Sequence, residues 1–137
     1  MSGFSSDFSE YTVLVVDDIS LNVLLLQKSL QRFNFNIVTA NSGREALEVI
    51  AAIKPAIVFL DVMMPGMDGL AVLKAIRQNP ANDDIRVVMV SALASEGDID
   101  AAKERGANAY ITKPIVMATL MNVVMQQVEA YKESQNK

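Results

Sequence analysis

Five short runs of apolar, β-prone residues recur along the chain, at 12–16 (Thr12-Val13-Leu14-Val15-Val16), 36–39, 56–60, 86–90 and 109–112. The stretches between and after them are helix-like, and where their apolar residues return every three to four positions they have the period of a helix with one buried face. The pattern is that of five βα units. The strand runs are continuously apolar rather than alternating, which suits strands covered on both faces, as in a parallel sheet between two helical layers. The predicted architecture is therefore α/β in three layers.

Punctuation between the runs supports the same division. Ser42-Gly43-Arg44-Glu45 reads as a capping box opening a helix to about Ile53. Ser95-Glu96-Gly97-Asp98 opens another, ending at Gly106, and Asn79-Pro80-Ala81-Asn82 closes the third. The last helix is expected from about Ile115 to Tyr131, with Leu120, Val123, Val124, Gln127 and Val128 on its sheet-facing side. Residues 1–10 and 132–137 read as short tails around one domain at 11–131. Of the methionines, Met89 falls in a strand and Met117, Met121 and Met125 share a helix face, so core filling is expected for the group, Met67 included; Met63 and Met64 differ because they follow a candidate nucleophile.

Composition narrows the function. A length of 137 residues with 51% hydrophobic and 20% charged residues suits one ordinary core. A net charge of -4 with no basic run argues against binding the phosphate backbone of nucleic acid. No run approaches the ~20 apolar residues of a bilayer span, and the N-terminus lacks a secretory leader, so a soluble, unprocessed, cytoplasmic chain is expected. The chain has no Cys and no His, which removes thiolate and imidazole chemistry and the usual zinc sites. Any metal must be held by oxygen, favouring Mg²⁺, Ca²⁺ or Mn²⁺, and a phosphohistidine would have to come from another molecule.

In an open parallel sheet, ligands bind beyond the carboxyl ends of the strands. Here those ends carry Asp17-Asp18, Asp61, Ser91 and Lys113-Pro114. Three carboxylates at one edge repel one another unless protons or a cation compensate. Two carboxylates, a backbone carbonyl such as that of Met63, and water would satisfy Mg²⁺, with Mn²⁺ as a possible substitute. Lys113 can pair with Asp61 and later with a phosphoryl group. Asp61 is the natural nucleophile for phosphoryl transfer, and Ser91 offers a hydroxyl to a phosphoryl oxygen. Asp68 is better read as a turn or cap residue than as a ligand.

The segments Val15-Val16-Asp17-Asp18, Leu60-Asp61-Val62-Met63-Met64-Pro65-Gly66-Met67-Asp68-Gly69, Val90-Ser91-Ala92 and Tyr110-Ile111-Thr112-Lys113-Pro114 resemble the response-regulator receiver family over roughly residues 11–131. The resemblance implies a flavodoxin-like sheet of order 2-1-3-4-5. It implies Asp61 as phosphoacceptor, Asp17 and Asp18 as the acidic pair around Mg²⁺, Lys113 as phosphoryl-binding lysine, Ser91 and Tyr110 as switch residues, and a cis peptide before Pro114. It further implies a histidine kinase or histidine phosphotransfer protein as donor, and an output face at helix 4, strand 5 and helix 5 that meets a downstream protein or neighbouring domain. Such a domain catalyses its own phosphorylation and dephosphorylation without being a classical turnover enzyme. Met63 and Leu93 are apolar where chemotaxis-type receivers have polar residues that orient a hydrolytic water, so slow loss of the phosphoryl group is expected. The rival is a Mg-dependent phosphatase of dehalogenase-like type, whose Asp-x-Asp pattern is broken here by Met63.

Overall fold

The structure, a computed structural model, describes residues 7–93 and 95–136. Strands β1 (Thr12–Val16), β2 (Asn36–Ala40), β3 (Ile57–Asp61), β4 (Arg86–Ser91) and β5 (Ala109–Thr112) form one parallel sheet of order β2-β1-β3-β4-β5. They alternate with helices α1 (Ser20–Leu30), α2 (Gly43–Ile53), α3 (Gly69–Gln78), α4 (Glu96–Glu104) and α5 (Met117–Gln135). This is the predicted flavodoxin-like (βα)5 arrangement.

The continuous apolar runs are explained by two cores, because successive side chains of a strand point to opposite faces. Val13, Val15, Ile57, Phe59, Val88, Val90 and Ile111 face one way, against Val23, Leu26 and Leu30 of α1 and Leu120, Val124 and Val128 of α5. Leu14, Val16, Val58, Leu60, Val87 and Met89 face the other way, against Ala46 and Ile50 of α2, Val72, Leu73 and Ile76 of α3, and Ala102 of α4.

Caps hold the helices in register with the strand ends. Ser42 accepts the Glu45 amide, Asp68 the Ala71 amide and Ser95 the Asp98 amide, each within 3.1 Å. Asp68 is thus the N-cap of α3, as its turn context suggested. Asp17 and Asp18 do not cap α1, whose N-cap is Ile19.

Three expectations are corrected. The last helix begins at Met117 and continues to Gln135, so most of the expected C-terminal tail is its final turn. Ser134 donates to the Tyr131 carbonyl and Gln135 to Asp84, contacts that hold this polar turn. The expected N-terminal tail of residues 1–10 contains a docked residue: Phe8 is buried beside Phe33, Phe35 and Tyr11, and its amide donates to the Phe33 carbonyl. Residues 1–6 lie outside the described residues. Of the methionines expected in the core, Met89 is buried and Met117 and Met121 pack against it, but Met125 and Met67 are exposed; of the two that follow Asp61, Met64 is buried and Met63 exposed. Met125 faces outward because Val124, Gln127 and Val128 take the sheet-facing stripe of α5.

Candidate functional site

Parallel pairing brings the carboxyl ends of β1, β3, β4 and β5 to one edge. Asp17 follows β1 directly, Asp61 and Ser91 are the last residues of their strands, and Lys113 follows β5. Strands β3 and β4 each run one residue further than their apolar runs, so Asp61 and Ser91 are fixed by the ladder itself. The Lys113 amide extends that ladder by donating to the Ser91 carbonyl at 2.9 Å. The Lys113–Pro114 peptide is cis.

Asp17 and Asp61 are 5% and 6% exposed, an unusual depth for two acids side by side. Each is partly satisfied locally: the Ile19 amide donates to Asp17 Oδ1 at 2.9 Å, and the Met63 amide to Asp61 Oδ1 at 3.2 Å. Lys113 Nζ sits between them, 3.1 Å from Asp17 Oδ2 and 3.5 Å from Asp61 Oδ2. The sequence suggested a pair with Asp61; the lysine bridges both acids, with the shorter contact to Asp17.

One lysine does not balance the site. Asp17, Asp18 and Asp61 each offer a carboxylate oxygen, and these atoms lie within 4.8 Å of one another. At an effective dielectric of ~20, each pair of like charges at such a spacing costs on the order of 3 kcal/mol. Burial pushes the Asp61 carboxyl above the usual carboxylate range, and the Asp17 charge adds to this; the Met63 amide and Lys113 pull it back. The donor set is hard oxygen with a surplus of negative charge, which fits a divalent cation of the Mg²⁺ or Mn²⁺ kind.

Ser91 is fully buried, and its Oγ accepts the Leu93 amide at 3.1 Å, leaving its hydroxyl hydrogen free to turn towards an acceptor. Tyr110 donates its hydroxyl to the Leu93 carbonyl at 2.7 Å, so the β4–α4 loop is held from both strands. Met63 and Leu93 are exposed on the rim.

A family profile for the response regulator receiver domain matches residues 13–125. The chain belongs to the response-regulator receiver family. It is 44% identical over 103 residues to the response regulator PleD of Caulobacter vibrioides, an alignment covering 75% of this chain and 23% of that protein. Among solved structures, a response regulator from Chloroflexus aurantiacus superposes with a TM-score of 0.82 at 31% identity, covering 87% of this chain and 98% of that one. A chain of the CheX-CheY-BeF3-Mg complex from Borrelia burgdorferi gives 0.80 at 33% identity, covering 89% and 94%. The chain spans less than half the length of the curated relatives it matches. It is a receiver domain of two-component signalling, and the dehalogenase-like phosphatase reading is not favoured. No described helix is long and apolar enough to cross a membrane.

Two features of the site were not assigned from sequence. Gly69 begins α3 against the backbone of Asp61: a Cβ there would lie 2.1 Å from the Asp61 carbonyl oxygen, and its amide donates to Val62 at 2.8 Å. The glycine in Met67-Asp68-Gly69 therefore sets how closely α3 approaches the acceptor strand. A groove of about 390 Å³ also opens beside Asp17, Asp61 and Lys113, walled by Leu25 and Leu26 of α1 and by Pro114 and Ile115. Its walls come from segments far apart in sequence.

Proposed function

We propose that Asp61 is the phosphoacceptor of this receiver domain. The observation that carries the reading is the lysine held between two buried carboxylates at the strand edge, a cation placed where a phosphoryl group would arrive. An Asp61 carboxylate oxygen bonds to phosphorus as the donor's N–P bond breaks, and the donor leaves as its histidine. Lys113 Nζ moves from the carboxylates to the new phosphoryl oxygens, and Ser91 turns its hydroxyl to donate to one of them. Asp17, Asp18, Asp61 and the backbone carbonyl of Met63 would hold Mg²⁺, with Mn²⁺ as a substitute. When bound, the cation supplies positive charge against the phosphoryl oxygens and relieves the repulsion among the acids.

Movement of the whole Ser91 side chain towards the phosphoryl group, beyond rotation of its hydroxyl hydrogen, costs its bond from the Leu93 amide and so loosens the loop that Tyr110 also holds. Helix α4 follows this loop and buries Ala102 alone, the weakest anchorage of the five helices among the described residues. The face of α4, β5 and α5 is thus the part best suited to change shape and meet a downstream protein or neighbouring domain. The donor, a histidine kinase or histidine phosphotransfer protein, has to cover Asp61. Exposed Ile19, Leu21 and Leu25, after β1, and Val116, after β5, offer it apolar surface on segments that leave the same sheet edge. Because phosphohistidine donors draw on ATP, the domain works in the cytoplasm.

Incubation with acetyl phosphate and Mg²⁺ tests the assignment. The wild type gains one phosphate and loses it on mild alkali; chelation of the divalent ion stops the gain. Phosphate gain that is indifferent to chelation contradicts the metal part of the reading.

A further inference from the structure

The rim of the acidic site carries sulfur. Met63 is the most exposed of the described methionines at 59%, ahead of Met125 at 47% and Met67 at 38%, while Met64 and Met89 are 7% and 0% exposed. The chain has no cysteine, so thioethers are its only sulfur and no thiol competes for an oxidant. Met63 is also tied to the acceptor, its amide donating to Asp61 Oδ1. Oxidation of Met125, on the outer face of α5, would have no comparable neighbour.

We propose that Met63 is an oxidant-sensing modification site that shortens the life of the phosphorylated state. A peroxide supplies the oxygen: a new S–O bond forms at the thioether, the O–O bond breaks, sulfur loses two electrons, and hydrogen peroxide is reduced to water. The product is methionine sulfoxide, which methionine sulfoxide reductases return to the thioether. The change replaces a thioether, which offers water only a weak acceptor, by a strong hydrogen-bond acceptor on the residue whose amide is bonded to Asp61. A water that donates to the sulfoxide oxygen is placed to attack phosphorus; the Asp61 O–P bond then breaks, releasing inorganic phosphate and the free carboxylate. The effect on lifetime rests on Asp61 being the phosphoacceptor; the selectivity of oxidation does not.

Hydrogen peroxide is added to the intact domain in graded doses, and peptide mass mapping reads the oxidised positions. Met63 is expected to oxidise first, with Met64 and Met89 protected. Acetyl phosphate and Mg²⁺ then phosphorylate oxidised and unoxidised protein in parallel, and the lifetime ratio is measured within each variant. In the wild type oxidation is expected to shorten the lifetime about tenfold, the change one added hydrogen bond in the transition state accounts for. Reductase treatment restores it. The effect persists in Met67→Leu and Met125→Leu, vanishes in Met63→Leu, and is mimicked without oxidant by Met63→Gln. Oxidation of the buried methionines before Met63, an unchanged or longer lifetime, or an equal effect in Met63→Leu overturns the inference. Failure of unoxidised wild type to take phosphate overturns the phosphoacceptor assignment itself, and the lifetime effect with it.

Discussion

The two ends of the sheet are built on opposite principles. At the amino end, Phe8, Tyr11, Phe33, Phe35 and Tyr131 close the structure with ring centroids 5.4–6.2 Å apart. None of these five residues is charged, and the packing of their rings holds that end together. At the carboxyl end, three carboxylates face one lysine, and a Cβ-free residue lets α3 crowd the acceptor strand. The acids there carry more charge than the one lysine offsets. The contrast teaches where this fold keeps its stability and where it keeps its chemistry, and it implies that the two can be damaged separately.

The largest expected effect is at the acid. Asp61→Asn should abolish phosphate gain from acetyl phosphate by intact-mass measurement while the domain stays folded. Lys113→Ala should slow that gain by roughly 100-fold, since a preorganised cation facing developing charge is removed. It should also destabilise the domain by about 1–3 kcal/mol in urea, because two buried acids lose their shared partner. Gly69→Ala couples packing to chemistry: forcing a methyl group against Asp61 should cost about 2 kcal/mol and slow phosphorylation together. Phe8→Ala is the reverse case. It should cost about 2–3 kcal/mol in a denaturant titration and leave the phosphorylation rate of the folded protein unchanged. A rate loss in Phe8→Ala would break the separation of the two ends.

The smallest effect is the most diagnostic of strain. The folded-state pKa of Asp61 lies above its ordinary value, so ionising it costs stability. That cost is absent below the unfolded pKa, grows as pH rises towards the folded one and is complete above it. Without divalent ions, Asp61→Asn should therefore melt a few degrees higher than wild type near pH 7, with the advantage fading as the pH falls to about 3. An advantage that grew on acidification would contradict the assignment of burial and the Asp17 charge as its causes.

The residues that set this contrast were not equally legible. Strand positions and the acids at their ends could be read because a doubly covered strand is continuously apolar and stops where solvent or chemistry begins. The bridging of Asp17 and Asp61 by Lys113 could not, since it joins residues 96 positions apart and depends on how the sheet closes. Phe8 was missed because a single aromatic outside any periodic segment carries no pattern. The last turn of α5 was missed because Glu133, Ser134 and Gln135 show a helix only through their bonds to Tyr131 and Asp84. Met125 was misassigned because four-residue spacing places residues on one face without saying which face the sheet takes.

The most direct test is to locate the phosphate. Protein treated with acetyl phosphate in Mg²⁺ is reduced with borohydride, which converts an aspartyl phosphate to homoserine, and the peptides are sequenced by mass spectrometry. The account predicts homoserine at position 61 in the Mg²⁺ sample and none after chelation. Homoserine at Asp17 or Asp18 instead, or at no position in a sample containing Mg²⁺, would contradict it.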